Sequence, residues 1–173
     1  MLIKKPFVHC FVLFVVLIFG FTTIAAQKRR TPPTPKVVTS SSIPNPADVK
    51  KGAENVSIQL KNVSKFIYVL GGIASGIEAI DRDPKATKAD RDKNAANKQQ
   101  VIQAIDNLRR GLAALETDFR TNASLKKFLP QIQGITDLAT QSEDLATAGR
   151  FSEAGKPLLL AIEKLADTLT AMP

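Results

Sequence analysis

Imidazole and thiol carry most nucleophilic, general-base and metal-ligand chemistry, and this chain of 173 residues has one of each: His9 and Cys10. Both lie at the start of an apolar N-terminal run, Phe7 to Phe21, so nothing beyond residue 10 can supply either group. That removes Ser-His-Asp and Cys-His arrangements, zinc sites of ordinary ligands, haem attachment and histidine-ligated di-iron sites. Gly71-Gly72 has neither the strand-loop-helix setting nor the lysine that a phosphate cradle needs.

Carboxylates are what is left. Asp81 with Asp83, and Asp90 with Asp92, form two D-x-D pairs. Asp90-Arg-Asp-Lys-Asn94 opens like a calcium loop, with oxygen ligands at its first, third and fifth positions. Ala95 then stands where the turn glycine belongs, and Val101 where the closing glutamate belongs. Arg82, Lys85, Lys88, Arg91 and Lys93 are interspersed, and they should repel a divalent cation and pair with these acids. Glu143-Asp144 and Glu163 with Asp167 read as solvated helix charges. One tyrosine, Tyr68, and no tryptophan give no aromatic platform for a carbohydrate. The expectation is a protein that is not an enzyme and needs no cofactor or metal.

The elements that hold these residues are helices. Over Ala47 to Ile80, Ala53, Leu60, Ile67 and Ala74 fall on one line, and Val56, Val63, Leu70 and Ile77 on another three residues on. Phe66, Ile73 and Ile80 run beside them. This 3-4 stripe, of coiled-coil type, predicts a long amphipathic helix that buries one face. Gly71, Gly72 and Gly76 weaken it by about 1 kcal/mol each relative to alanine. Gly72 and Gly76, four residues apart, would let another helix approach closely, from the same domain or from a partner. Phe66, Gly72, Ile73 and Gly76 are therefore the candidate interface residues.

Asp81 to Gln100 is polar. Asp83 before Pro84 reads as the N-cap of a second helix, whose start places Arg91, Asn94 and Lys98 at positions too polar to bury. Residues 84–97 are thus an exposed helix or a loop, and the frequent alanine and lysine favour helix. Val101, Ile105, Leu108, Leu112, Leu115 and Phe119 form its stripe, ending near Arg120. A third helix follows a cap at Asn122 or Ser124, with Leu125, Phe128, Leu129, Ile132, Ile135, Ala139, Ser142 and Ala146 inward and a disturbance at Pro130. Gly149 is its stop. A fourth helix, capped by Ser152 and disturbed by Gly155 and Pro157, carries Leu158, Ile162, Leu165, Leu169 and Met172. Leu145-Ala-Thr-Ala-Gly-Arg-Phe-Ser-Glu-Ala154, with Ala161-Ile162 after it, resembles the helix-turn-helix junction of a tetratricopeptide repeat. No 34-residue period accompanies it. The expected fold is all-α, an antiparallel four-helix bundle running up-down-up-down over residues 47–173.

What precedes the bundle sets its destination. Lys4 and Lys5, the apolar run and Thr23-Ile-Ala-Ala26 have the layout of a secretory signal peptide over residues 1–26. An uncleaved anchor through residues 7–26 is the alternative, which Lys28-Arg29-Arg30 favours by resisting translocation. In both cases the bundle is exported, periplasmic or extracellular. Residues 27–46 hold five prolines among Thr and Ser and read as a disordered spacer. The formal charge of +8 is concentrated here: six of the 24 basic residues and none of the 16 acidic ones precede residue 48. The bundle itself is nearly neutral, which argues against nucleic acid as a partner. The expected function is contact with an unknown protein or with a second copy, or a structural role in an envelope. The alternative is electrostatic binding of an anionic envelope polymer or membrane surface through Lys28, Arg29 and Arg30 and the segment 82–98.

Overall fold

The computed structural model describes residues 44–173. The leader, most of the spacer, and Lys28, Arg29 and Arg30 lie outside the described residues. Within them the chain is all-α: α1 (Pro46–Arg82), α2 (Lys88–Thr121), a single 3-10 turn (Lys126–Phe128), α3 (Leu129–Ile132), α4 (Ile135–Thr147) and α5 (Phe151–Ala171).

The start of α1 follows from two adjacent residues. The Asn45 side chain accepts from the Ala47 backbone N–H at 3.1 Å, and Pro46 occupies a first-turn position where a missing N–H costs nothing. Asn45 in turn donates its own N–H to Ser124 Oγ at 2.9 Å, and Ser124 Oγ donates to the Asp48 carboxylate at 3.4 Å. Ser124 therefore ties the chain after α2 to the start of α1, rather than capping a third helix.

Asp83 closes α1 as its C-cap, and its carboxylate accepts from the Lys85 N–H at 2.8 Å. The expected role of Asp83 as an N-cap is thus overturned. Pro84 cannot continue a helix, and α2 begins four residues later behind Thr87. Thr87 Oγ1 accepts from the Asp90 N–H while the Asp90 carboxylate accepts from the Thr87 N–H, a complete capping box. The Thr87 hydroxyl also donates to the Asp90 carboxylate at 2.7 Å, and this bond, with that from the Thr87 N–H, holds the Asp90 carboxyl below its ordinary range.

The polar start of α2 is also not wholly solvated. Asn94 is buried, contrary to the expectation, because its amide donates to the Ile77 carbonyl at 3.0 Å and to Asp81 at 3.0 Å. Lys98 pairs with Asp81 beside it. A short polar side chain with a backbone acceptor waiting for it can be buried where a lysine or arginine cannot.

The break within the expected third helix falls at Gln133-Gly134 rather than at Pro130. Pro130 sits in the first turn of α3, and Gly134 has φ 89°, a left-handed value that suits glycine. Gly149, at φ 79°, ends α4 as expected. The Arg150 N–H bonds to Leu145 O and the Gly149 N–H to Ala146 O, the two bonds of a Schellman motif. α5 then starts at Phe151 with no side-chain cap, so Ser152 does not have the capping role expected of it. Pro157 lies inside α5 without breaking it; its ring is buried.

α1 packs against α2 and α5, and α4 packs against α2 and α5, so the four long helices close a ring of contacts. One core cluster joins Val49, Val56 and Val63 to Leu112, Phe119, Leu158 and Leu165. A second joins Leu70, Ala74 and Ile77 to Val101, Ile105, Ala146, Phe151 and Ala154. Each valine, leucine, isoleucine or phenylalanine among these contributes roughly 1.5–3 kcal/mol by leaving water. The apolar half of α1 is thus covered on its buried side by α2, α4 and α5 together. At Gly52 the Leu125 and Met172 side chains press on the α1 backbone: a Cβ there would lie 2.6 Å from Leu125 Cδ2.

Candidate functional site

The four candidate interface residues divide between two faces of α1. Phe66 is half-buried against both core clusters, and Ile73 against the second, so these two belong to the bundle. Gly72 and Gly76 are exposed. A Cβ built on Gly71, Gly72 or Gly76 meets nothing within 4 Å. Close packing inside the domain, the ordinary use of such a spacing, is therefore not what these glycines do.

Their neighbours on the outward face are Tyr68 (85% exposed), Val69 (41% exposed), Ser75 and Ala79. From Phe66 to Ile77 there is no charged residue, and Lys65 and Glu78 bound the run. The result is three turns of helix surface with no charge, little side chain at its centre and a nearly bare tyrosine on its edge. Across the most apolar 18-residue window of α1 the mean hydropathy is 1.4, yet only 22% of the window is buried. The uncharged run of twelve residues is well short of the ~20 that span a bilayer. Tyr68, Val69 and Ala79 were missed in the sequence, although the signal was present: they and both glycines lie off all three apolar lines.

Several charges of the 82–98 segment are paired locally. Arg82 pairs with Glu78, Lys88 with Asp92 and Lys98 with Asp81. Arg91 donates to the Ala86 and Pro84 carbonyls. The two D-x-D pairs hold no common centre, because Asp90 caps α2, Asp83 caps α1 and Asp81 and Asp92 face lysines. Among the described residues no three acidic side chains gather in a metal-binding cluster.

Two shallow depressions among the described residues bring charged side chains together. One, of about 250 Å³, is lined by Glu78, Asp81, Arg82, Arg150, Ser152 and Glu153. Glu78 accepts from the Ser152 N–H at 2.8 Å, and hydrogen bonding from Arg150 holds the Glu153 carboxyl below its ordinary range. The other, of about 310 Å³, is lined by Glu116, Arg120, Gln133, Gly134, Thr136 and Asp137. Burial alone would raise the Glu116 carboxyl, but the Thr136 hydroxyl, the Gly134 and Thr136 N–H groups and Arg120 outweigh it and hold it low. A general acid needs the opposite shift, toward neutrality. Both carboxylates act as fasteners: Glu116 joins α2 to the start of α4, and Glu78 joins α1 to the start of α5.

The outward face of α1 has no packing role inside the bundle. Comparison with protein-family models, with curated proteins and with solved structures finds no match to this chain.

Proposed function

We propose that this chain is an exported, non-enzymatic helical-bundle protein, and that it acts through protein contacts made by the outward face of α1 between Lys65 and Glu78. The observation that carries this reading is the open space around Gly71, Gly72 and Gly76. Each glycine costs a helix about 1 kcal/mol relative to alanine, and here no intrachain packing offsets the cost. An uncharged, small-residue helix face bordered by an exposed tyrosine suits close approach by another apolar surface. The apolar leader with its small-residue cleavage site supports export, and the paired, low-lying carboxylates of both depressions favour a role other than catalysis.

The arrangement that presents this face is an antiparallel, up-down-up-down bundle. Two observations support it: Gln59 lies beside Gly111 whereas Ile77 and Asp81 lie beside Asn94 and Lys98, and Ser142 bonds to Ala154 across the α4–α5 turn.

Gly72→Leu tests the contact surface directly. The site is open and leucine favours helix over glycine, so the variant should fold and melt slightly above the wild type. In the native host it should lose the crosslinked species that the wild type forms through residues 65–79. A folded Gly72→Leu chain with an unchanged set of crosslinks would remove the face from consideration.

A further inference from the structure

The outward face of α1 has the same spacing in both directions, with opposite charges at its two ends. Lys65, Gly72, Gly76 and Asp83 follow at intervals of seven, four and seven residues. At about 100° per residue these four lie within roughly 40° of one another, on the side of the helix away from the buried stripe. Reversing the helix about the level of Ala74 exchanges Gly72 with Gly76, Val69 with Ala79, and Lys65 with Asp83. All six residues are exposed. Neither Lys65 nor Asp83 has an ion-pair partner among the described residues.

We infer that this face binds a second copy of the same chain, antiparallel, across a two-fold axis at the level of Ala74. The inference rests on the contact-surface reading above and names the occupant. The glycines let the two backbones approach, with Gly72 of one copy against Gly76 of the other. Lys65 of each copy meets Asp83 of the other, so one contact gives two ion pairs at the two ends of the seam. A parallel pair would instead set lysine against lysine and aspartate against aspartate, which is repulsive. The contact is isologous and closes as a dimer, leaving no open face to propagate. Tyr68 lies on the edge of the seam, at the level of Ile80 of the second copy. A single helix pair buries less than the roughly 800 Å² per partner of a standard interface. Association is therefore weak and concentration-dependent, and it is strengthened where copies share a confined compartment.

The test is site-specific disulfide capture in cells expressing the full-length chain in a Cys10→Ser background. Lys65→Cys and Asp83→Cys chains expressed together should give a covalent mixed dimer on mild oxidation. Each variant alone should give none, because the two copies of either residue lie about 27 Å apart along the axis, at 1.5 Å per residue. Efficient capture with either variant alone would mean a parallel pair and would overturn the inference. In the purified full-length chain, Lys65→Asp or Asp83→Lys should each weaken self-association at least tenfold, and the double exchange in one chain should restore it. No restoration would also overturn the inference. An Ala79→Cys chain, labelled with an impermeant maleimide, separates this failure from that of the contact surface. If the protein is monomeric but Ala79→Cys is shielded in cells and reactive once purified, the surface binds something other than a second copy. If it is monomeric and reactive in both, the surface reading falls as well.

Discussion

Removing the Glu116 carboxylate should cost the bundle a large share of its stability, for reasons that can be followed atom by atom. The residue is 6% exposed. Its two oxygens accept from the Gly134 N–H at 3.1 Å, the Thr136 N–H at 3.2 Å and the Thr136 hydroxyl at 2.7 Å, and Arg120 approaches at 3.0 Å. These donors sit at the uncapped start of α4, where Gly134 provides no side chain to satisfy the first turn. Hydrogen bonds to a charged group are worth about 1.5–3 kcal/mol, but the depression beside Glu116 lets water replace part of what is lost. Glu116→Ala should therefore destabilise by about 2–3 kcal/mol, or about 10 °C in melting temperature for a domain of this size. Glu116→Gln keeps the shape but turns an amide N–H toward a donor, and should cost about 1–2 kcal/mol. The pH dependence separates the charge from the shape. The folded carboxyl titrates below its unfolded value of about 4.3, so its stabilisation is complete above that pH and disappears as the pH falls through the folded value. Urea titrations of wild type and Glu116→Gln should therefore differ most at neutral pH and converge in acid. An alanine variant within about 0.5 kcal/mol of wild type, or a gap between wild type and Gln that persists in acid, would refute the reasoning.

The glycines of α1 give a paired prediction: in dilute protein, Gly71→Ala and Gly76→Ala should each stabilise the fold by about 0.5–1 kcal/mol, since an added Cβ meets nothing. Gly52→Ala should show no such gain and should lower the melting temperature, because its Cβ would press on the buried Leu125 side chain. Asn94→Asp should destabilise by about 3 kcal/mol in denaturant titrations at neutral pH, since it places a buried carboxylate against the Ile77 carbonyl and Asp81. Gly149→Ala should cost about 1 kcal/mol by calorimetry, because it forces a Cβ into a left-handed conformation at the end of α4.

The long helices were legible because their apolar stripes are strictly periodic. Val56, Val63, Leu70 and Ile77 are all buried, as are Ile105, Leu112, Leu158 and Leu165. The caps were less legible, because a cap depends on which of several adjacent polar residues reaches a free N–H. Asp83 and Thr87 both qualify on type, and only Thr87 has an acidic residue three positions later to complete the box. Asn94 was misread because its burial depends on a carbonyl seventeen residues away. The candidate face was half legible. Small-residue spacing drew attention to Gly72 and Gly76, but Phe66 and Ile73 were joined to them by hydrophobicity instead of by helical phase. Reading the face opposite the three apolar lines puts Tyr68 and Val69 beside the two glycines.

The closure of α1 by α5 has a consequence for the moment of folding. α1 is made before α5, yet they pack along each other: Leu70 lies against the Gly155 backbone and Met172 against Gly52. A nascent chain that ends before α5 has no cover for that side of the stripe, and α2 alone cannot provide it. The order of synthesis is therefore the reverse of what a co-translational folder would use, and the bundle can close only when its final turns exist. Until then the polypeptide remains open, and a product cut short before α5 displays its apolar stripe to the proteases that clear failed chains.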